Sequence, residues 1–401
     1  MPDAMIKGNA VVAQGGGPTA VINQSLVGVI EGLRGAKEIT RIYGARHGVR
    51  GIIEESVVEL QDIPQETLDG IARTPSAALG STRDKPDEAY CAKIFESCRR
   101  HGVHYFFYIG GNDSSDTCRI VNELSSEAGY ELRCFHVPKT VDNDLVENDH
   151  TPGYPSAARY VAMAFAGDNL DNASLPGIKI NVVMGRHAGF LTAASALMRQ
   201  RDEDGPHLVY VPERSFDLEA FVEDVRTVRS IHHRCQIAIS EGIHDGSGRP
   251  IAATLFPAET DAHGNVQLSG SGALGDMLAQ YLKEQLTPEG GHPPRVRADT
   301  LGYAQRCWID ASPVDQKEAR AAGRLAGTMA RAGDIDGSIA IKRVSTDPYD
   351  CLIERVPLEA VAAKTRHMPE EFINAKGNHV TEAFRDWLRP LVGPMPELAR
   401  L

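Results

Sequence analysis

The chain has 401 residues, 42% of them hydrophobic and 24% charged, with 42 basic and 54 acidic side chains for a formal charge of −12. That length exceeds what one hydrophobic core usually fills, so two packed lobes with a cleft between them are expected. The acidic balance disfavours nucleic acid or a membrane surface as partner, since both need an attractive field, and no apolar run approaches the roughly 18 residues of a membrane span.

In chain order, residues 1–17 hold one lysine and an apolar stretch too short for a secretory signal, and they run into a strand at 9–14, so a cytoplasmic address is expected. AQGGGPTAVINQSL (13–26) is a glycine turn between that strand and a helix. Glycines let backbone N–H groups approach an anion, and the helix N-terminus adds partial positive charge, so the loop suits phosphate; a tight structural turn is the plain alternative. Residues 15–20 fit G-x-G-x-x-A loosely, which admits a dinucleotide fold. Against it, the strand at 39–45 runs into YGARHG with no acid for a ribose hydroxyl, and no G-x-x-x-x-G-K-[ST] loop occurs. ALGSTRDKP (78–86) sets Arg83 beside a glycine and two hydroxyl residues, as a bidentate phosphate clamp or a solvated surface arginine.

A helical pattern over 87–102 leads to the strand VHYFFYIG (103–110) and then to GGNDSSDT. Gly110 and Gly111 permit close backbone approach, and Ser114 and Ser115 begin a helix over 114–129. Asp113 is either its N-cap, worth roughly 1 kcal/mol, or an oxygen ligand for Mg²⁺ that also shapes a phosphate site, with Asn112 the weaker ligand. The next strand, 132–138, opens into PKTVDNDL. An Asx-rich turn accounts for Asp142 and Asp144 but not for Lys139. At a strand's mouth the lysine can neutralise phosphoryl charge, while an aspartate accepts the proton of an attacking hydroxyl.

After a helix over 155–172 and a strand over 178–185 comes MGRHAGF, where Arg186 and the backbone suit a sugar or phosphate, and then a helix over 188–201. A helix over 217–231 precedes the strand 235–240 and SEGIHDG, whose Glu241 can accept hydrogen bonds from sugar hydroxyls. A Gly/Asp/His-rich stretch from HDGSGRP (244–250) through HGNVQLSGSG (263–272), and PEGGHPP at 288–294, read as excursions that contribute to a second lobe, with a helix over 271–286 between them. The strand 296–302 runs into GYAQR, which presents Tyr303 and Arg306, with Arg297 six residues before the tyrosine. A helix over 313–332 follows. The alternation is the βαβ rhythm of an α/β fold, a mostly parallel sheet covered by helices on both faces, whose ligands sit outside the carboxyl ends of the strands. Seven scattered cysteines without a C-x-x-C pair indicate neither disulfides nor zinc, and are expected reduced and buried.

Taken in order, GGGPT, LGSTR, GGNDS, PKTVDND, MGRHAG, SEG and GYAQR resemble the phosphofructokinase family over residues 8 to about 345. The resemblance implies a two-lobed fold with the active site in the cleft: a phosphoryl-donor lobe over 1–150 joined by a later segment, a sugar-phosphate lobe over 151–345, and an extension, 346–401, of unassigned role. ATP-using members of the family carry glycine where this chain has Asp113 and Lys139, whereas members using inorganic pyrophosphate carry aspartate and lysine. A carboxylate at 113 would occupy and repel the α-phosphate position of ATP, and Lys139 would offset charge on the departing phosphate.

The resemblance makes Asp142 the general base toward the 1-hydroxyl of fructose 6-phosphate, with Thr140, Val141 and Asp144 in the same loop. Gly16 and Arg83 become donor contacts; Met184, Gly185, Arg186, Glu241, Tyr303 and Arg306 become sugar-phosphate contacts. Arg297 matches an arginine that reaches across a subunit boundary, which implies a homodimer or homotetramer with shared active sites. Asn112 departs from a magnesium-associated aspartate, and Gly177 from a second cross-subunit arginine, with Lys179 the nearby cation. Val27 and Glu31 replace effector-binding arginines, so little response to ADP or phosphoenolpyruvate is expected. The implied activity is reversible, Mg²⁺-dependent phosphoryl transfer from pyrophosphate to fructose 6-phosphate, in glycolysis or gluconeogenesis. Use of ATP, a non-catalytic sugar-phosphate-binding subunit and an NAD-linked oxidoreductase are the rival readings.

Overall fold

The computed structural model describes residues 6–255 and 273–399, so residues 256–272 of the excursion expected over 244–272 lie outside the described residues. Among these the strands are β1 (Gly8–Gln14), β2 (Ile39–Ala45), β3 (Val57–Glu59), β4 (Val103–Gly110), β5 (Arg133–Pro138), β6 (Ile178–Val183), β7 (Leu208–Tyr210), β8 (Cys235–Ser240), β9 (Val296–Thr300), β10 (Asp336–Thr346) and β11 (Tyr349–Val356). The chain divides into two compact units: Met1–Ala157 with Arg306–Arg366, and Ala158–Gln305 with His367–Leu401.

The first unit is built on a seven-stranded sheet in the order β11-β10-β5-β4-β1-β2-β3. Its centre is parallel from β2 to β10, with antiparallel β3 and β11 at the edges. Strand side chains alternate between faces, and both faces are covered. Val12, Tyr105, Phe107 and Ile109 enter one core with Ile22, Leu26 and Ile30 of the Ile22–Leu33 helix. Val11, Ala13, Phe106 and Tyr108 enter the other with Ile94, Cys98, Cys118 and Val121 of helices Glu88–Arg100 and Asn112–Glu127. The Ile22–Leu33 helix meets the Pro313–Ala332 helix backbone to backbone: a Cβ on Gly28 would lie 2.1 Å from the Arg320 carbonyl oxygen.

The second unit holds the parallel sheet β7-β8-β6-β9. Its core gathers Ile180, Val182, Ile237 and Ile239 with Phe221 and Val225 of the Leu218–His232 helix and Leu278 of the Ala273–Leu286 helix. No helix among the described residues is long and apolar enough to cross a membrane. Five of the cysteines are buried, Cys307 and Cys351 are half-buried, and all are free.

Some elements differ from the sequence reading. The helix expected over 188–201 is only Phe190–Ala194, because the Ser195 hydroxyl donates to the Thr192 carbonyl at 2.5 Å and the next turns tighten. The strand expected to reach 185 stops at Val183, before Gly185 at φ +123°. Strands β3, β7, β10 and β11 and the helices Gln65–Arg73 and Glu382–Val392 were not expected.

Candidate active site

In the first unit the chain leaves β1 and β4 toward opposite edges of the sheet, which puts the topological switch point, the usual ligand position of such a sheet, at their carboxyl ends. The loops after β1, β4 and β5 are bonded together there. Gly15 N–H donates to the Ile109 carbonyl at 2.8 Å, and Lys139 N–H to that of Gly110 at 2.9 Å. The loop carrying Arg83 joins them: Gly16 N–H donates to the Thr82 carbonyl at 3.0 Å, and the Ser81 hydroxyl donates to the Gly16 carbonyl at 2.5 Å. Gly16 has φ +74°, and a Cβ there would stand 3.0 Å from Lys139 Nζ.

Lys139 is 3% exposed, and its Nζ donates to the Gly17 carbonyl at 2.8 Å. Burial, then the charges of Arg306 and Arg83, push its ammonium down to about 8 against the pull of Asp142 and Asp144. Arg83 is exposed. Arg306 is half-buried, its guanidinium carbon 3.1 Å from where a Gly17 Cβ would be. It therefore belongs with the glycine loop of the first unit, whereas Tyr303, three residues earlier, lies in the second.

The loop after Lys139 is pinned to residues 151–153. Thr140 N–H donates to the Pro152 carbonyl at 3.2 Å, the Thr151 hydroxyl donates to the Thr140 carbonyl at 3.0 Å, and Thr151 N–H donates to Asn143 Oδ1 at 3.0 Å. Asn143, in the left-handed region at φ +59°, reverses the chain between Asp142 and Asp144. Thr140 Oγ1 accepts Asp142 N–H at 3.1 Å, and Val141 is buried, so both aspartates are presented from a fixed turn.

Asp113 is not the N-cap of its helix. The cap is Gly111, with Asn112 and the exposed Asp113 in the first turn, where a carboxylate neutralises the positive helix end. Asn112 Nδ2 donates to Asp144 Oδ2 at 3.1 Å, while Asn112 Oδ1 is buried and has no hydrogen-bond partner. An unsatisfied amide oxygen on a side chain bonded to the Asp144 carboxylate is the kind of oxygen ligand that suits Mg²⁺ shared with phosphate and water. His136, inside β5, was missed because nothing distinguishes it within an apolar run. Its Nε2–H donates to the Gly110 carbonyl at 2.9 Å and its Nδ1 accepts from the Ser338 hydroxyl at 2.8 Å. Burial lowers its pKa to about 4, which keeps it neutral in that bridge.

In the second unit Met184, Gly185 and Arg186 follow β6, and Glu241 follows its neighbour β8. Met184 is buried, Arg186 exposed and Glu241 half-buried. The two loops touch: the Ser240 hydroxyl donates to the Gly185 carbonyl at 2.6 Å, and a Cβ on Gly242 would lie 2.0 Å from the Arg186 carbonyl oxygen. Glu213, also missed, accepts N–H groups of Gly189 at 2.9 Å and Met368 at 3.0 Å. Tyr303 is 55% exposed on a 3₁₀ turn, and Arg297 is exposed on β9 at the edge of its sheet. Lys179 is tied within its own unit to Asp168 at 3.3 Å and to Asp299. In the first unit Val27 is fully buried and Glu31 pairs with Arg320 and Arg324.

The family model described as phosphofructokinase matches residues 9–329. The chain is 55% identical over 400 residues to the pyrophosphate–fructose 6-phosphate 1-phosphotransferase of Rhodospirillum rubrum, covering 99% of this chain and 97% of that one. It is 38% identical to the protein of the same name from Halomonas elongata, over 97% of this chain and 92% of that one. Among solved structures, the pyrophosphate-dependent phosphofructokinase of Marinobacter aquaeolei superposes with a TM-score of 0.85 at 33% identity, over 98% of this chain and 93% of that one. The chain belongs to the phosphofructokinase family.

Proposed function

We propose that this chain reversibly transfers a phosphoryl group from pyrophosphate to the 1-hydroxyl of fructose 6-phosphate, giving fructose 1,6-bisphosphate and phosphate. The observation that carries the donor assignment is a buried Lys139 after β5 together with Asp113 in the first turn of the helix after the neighbouring β4. The ammonium and the amides of the glycine loop offer charge to a small diphosphate. The carboxylate takes up the positive helix end that a nucleotide phosphate would otherwise use. The matched relatives, named for this reaction, support the same reading.

Such chemistry asks the protein mainly for position and charge. Asp142, presented by the Thr140 turn, accepts the hydroxyl proton as that oxygen attacks phosphorus. Lys139 and Arg83 offset charge on the transferring group and the departing phosphate. Met184, Gly185, Arg186, Glu241, Tyr303 and Arg306 bind the sugar phosphate. Asn112 Oδ1 and Asp113 would hold Mg²⁺, whose contribution when bound is to neutralise phosphate oxygens. Arg297, exposed on an edge strand, supports a homodimer or homotetramer that shares sites, and the composition supports a cytoplasmic enzyme. The buried Val27 and the paired Glu31 support a non-allosteric enzyme.

The test is bisphosphate formation by the purified chain from fructose 6-phosphate and Mg²⁺ with pyrophosphate or ATP. Turnover with pyrophosphate and little with ATP is expected; the opposite preference would overturn the donor assignment.

A further inference from the structure

Behind the loop that carries Asp142 lies a set of buried charges that the proposed chemistry does not use. His150 is fully buried, its Nδ1 2.8 Å from Asp149 Oδ2 and its Nε2 2.6 Å from Glu318 Oε2. Glu318 Oε1 accepts the Tyr349 hydroxyl at 2.7 Å, and the Cys351 thiol lies 3.2 Å from the same oxygen. Arg343 bonds Asp149 Oδ2 at 3.1 Å and lies over the Tyr349 ring at 5.2 Å. Arg366 donates to the Asp149 carbonyl at 2.6 Å, and its own N–H donates to the Asp144 carbonyl at 2.8 Å. One turn away, Asp315 accepts N–H groups from Gly153 and Ser156 at 2.9 and 3.1 Å and the Ser156 hydroxyl at 2.5 Å.

Three cationic side chains (His150, Arg343, Arg366) thus face three carboxylates (Asp149, Glu318, Asp315), with Tyr154 buried among them. Desolvation opposes charge on His150, but hydrogen bonds to Asp149 and Glu318 hold its pKa up at about 9, so both ring nitrogens donate at neutral pH. A buried ion set of this kind is weak as a source of stability; it fixes geometry. The geometry fixed is that of residues 149–156, whose Thr151 and Pro152 hold Thr140 and Asn143 on either side of Asp142.

We propose that His150 is a positioning residue for the acceptor loop: clasped by Asp149 and Glu318, it locks segment 149–153 against the Pro313–Ala332 helix and the β10–β11 hairpin, and so aims Asp142. The proposal rests on the phosphoryl-transfer reading above. It also gives Tyr349, Cys351 and Arg366, beyond the region covered by the sequence motifs, a common task.

The test compares the full-length wild type with His150→Gln, which preserves polarity but carries no charge, using whichever donor the wild type turns over. Because 1 Å of misplacement can cost about 100-fold, kcat should fall about 10- to 100-fold. KM for that donor should stay within about threefold, since Lys139 remains tied to Gly110 and Gly17. Amide exchange over 140–145 should quicken by about tenfold or more while β1 and β4 keep their protection. If His150→Gln does not fold, Tyr349→Phe, which removes one half-buried hydroxyl, should show the same pattern at about two- to fivefold in kcat. A folded variant with a lower Tm but unchanged kcat and unchanged exchange at 140–145 would overturn the proposal. Wild-type turnover from ATP alone would overturn only the donor reading, and with no turnover from either donor the exchange comparison decides.

Discussion

Asn112 and Asp144 are joined across two loops: the amide nitrogen of Asn112 donates to the Asp144 carboxylate at 3.1 Å, which leaves the amide oxygen buried and unpartnered. The start of the Asn112–Glu127 helix is thereby fastened to the turn that presents Asp142. The amide's orientation follows from that bond, since a carboxylate cannot donate.

Replacing Asn112 by Ala removes both the bond to Asp144 and the free oxygen. The Mg²⁺ concentration for half-maximal rate should rise by about tenfold or more, on the scale of losing a group that orients metal ligands. A titration of rate against Mg²⁺ checks it; an unchanged midpoint would remove Asn112 from the metal site.

Asp142→Ala should lower kcat by about 100-fold or more, the scale of general-base loss. Steady-state kinetics on the folded variant decide the matter, and an unaltered kcat would leave proton removal to another group.

The pH dependence follows from Lys139. With its pKa pushed down to about 8, its charge is lost as pH rises through that value. The kcat/KM for pyrophosphate, which reports the free enzyme, should therefore fall above pH 8. In Lys139→Met the value should be low throughout and that alkaline limb absent.

Stability against pH separates two buried cations. The His150 pKa is raised from 6.5 to about 9, so its contribution is complete below 6.5 and is lost as pH climbs through 9. Lys139 runs the other way, destabilising most below about 8 and relaxing toward 10.5. Between pH 6.5 and 8 the wild-type Tm should consequently decline more steeply than that of His150→Gln. Parallel curves would mean that the imidazole is neutral in the folded protein.

What the sequence reveals of the fold and the site depends on how local each signal is. Glycines at strand ends, with Lys139, Asp142 and Asp144 in seven residues, mark the loops beside the switch point without any tertiary information. The cap at Gly111 rather than Asp113 was not legible, because both residues suit a helix start and only the backbone angles choose between them. His136 and His150 were invisible for another reason. Each matters through partners more than 100 residues away, Ser338 and Glu318, and no short-range pattern records such a contact. The β10–β11 hairpin likewise gains its meaning from pairing with β5, some 200 residues upstream.

Donor choice is decided by the ratio of kcat/KM for pyrophosphate to that for ATP, measured for the wild type and for Asp113→Gly combined with Lys139→Gly. A ratio well above one is expected, collapsing by about 100-fold or more in the double variant, because an attractive and a repulsive element are removed together. A wild-type ratio below one, or a double variant with its ratio unchanged, would contradict it.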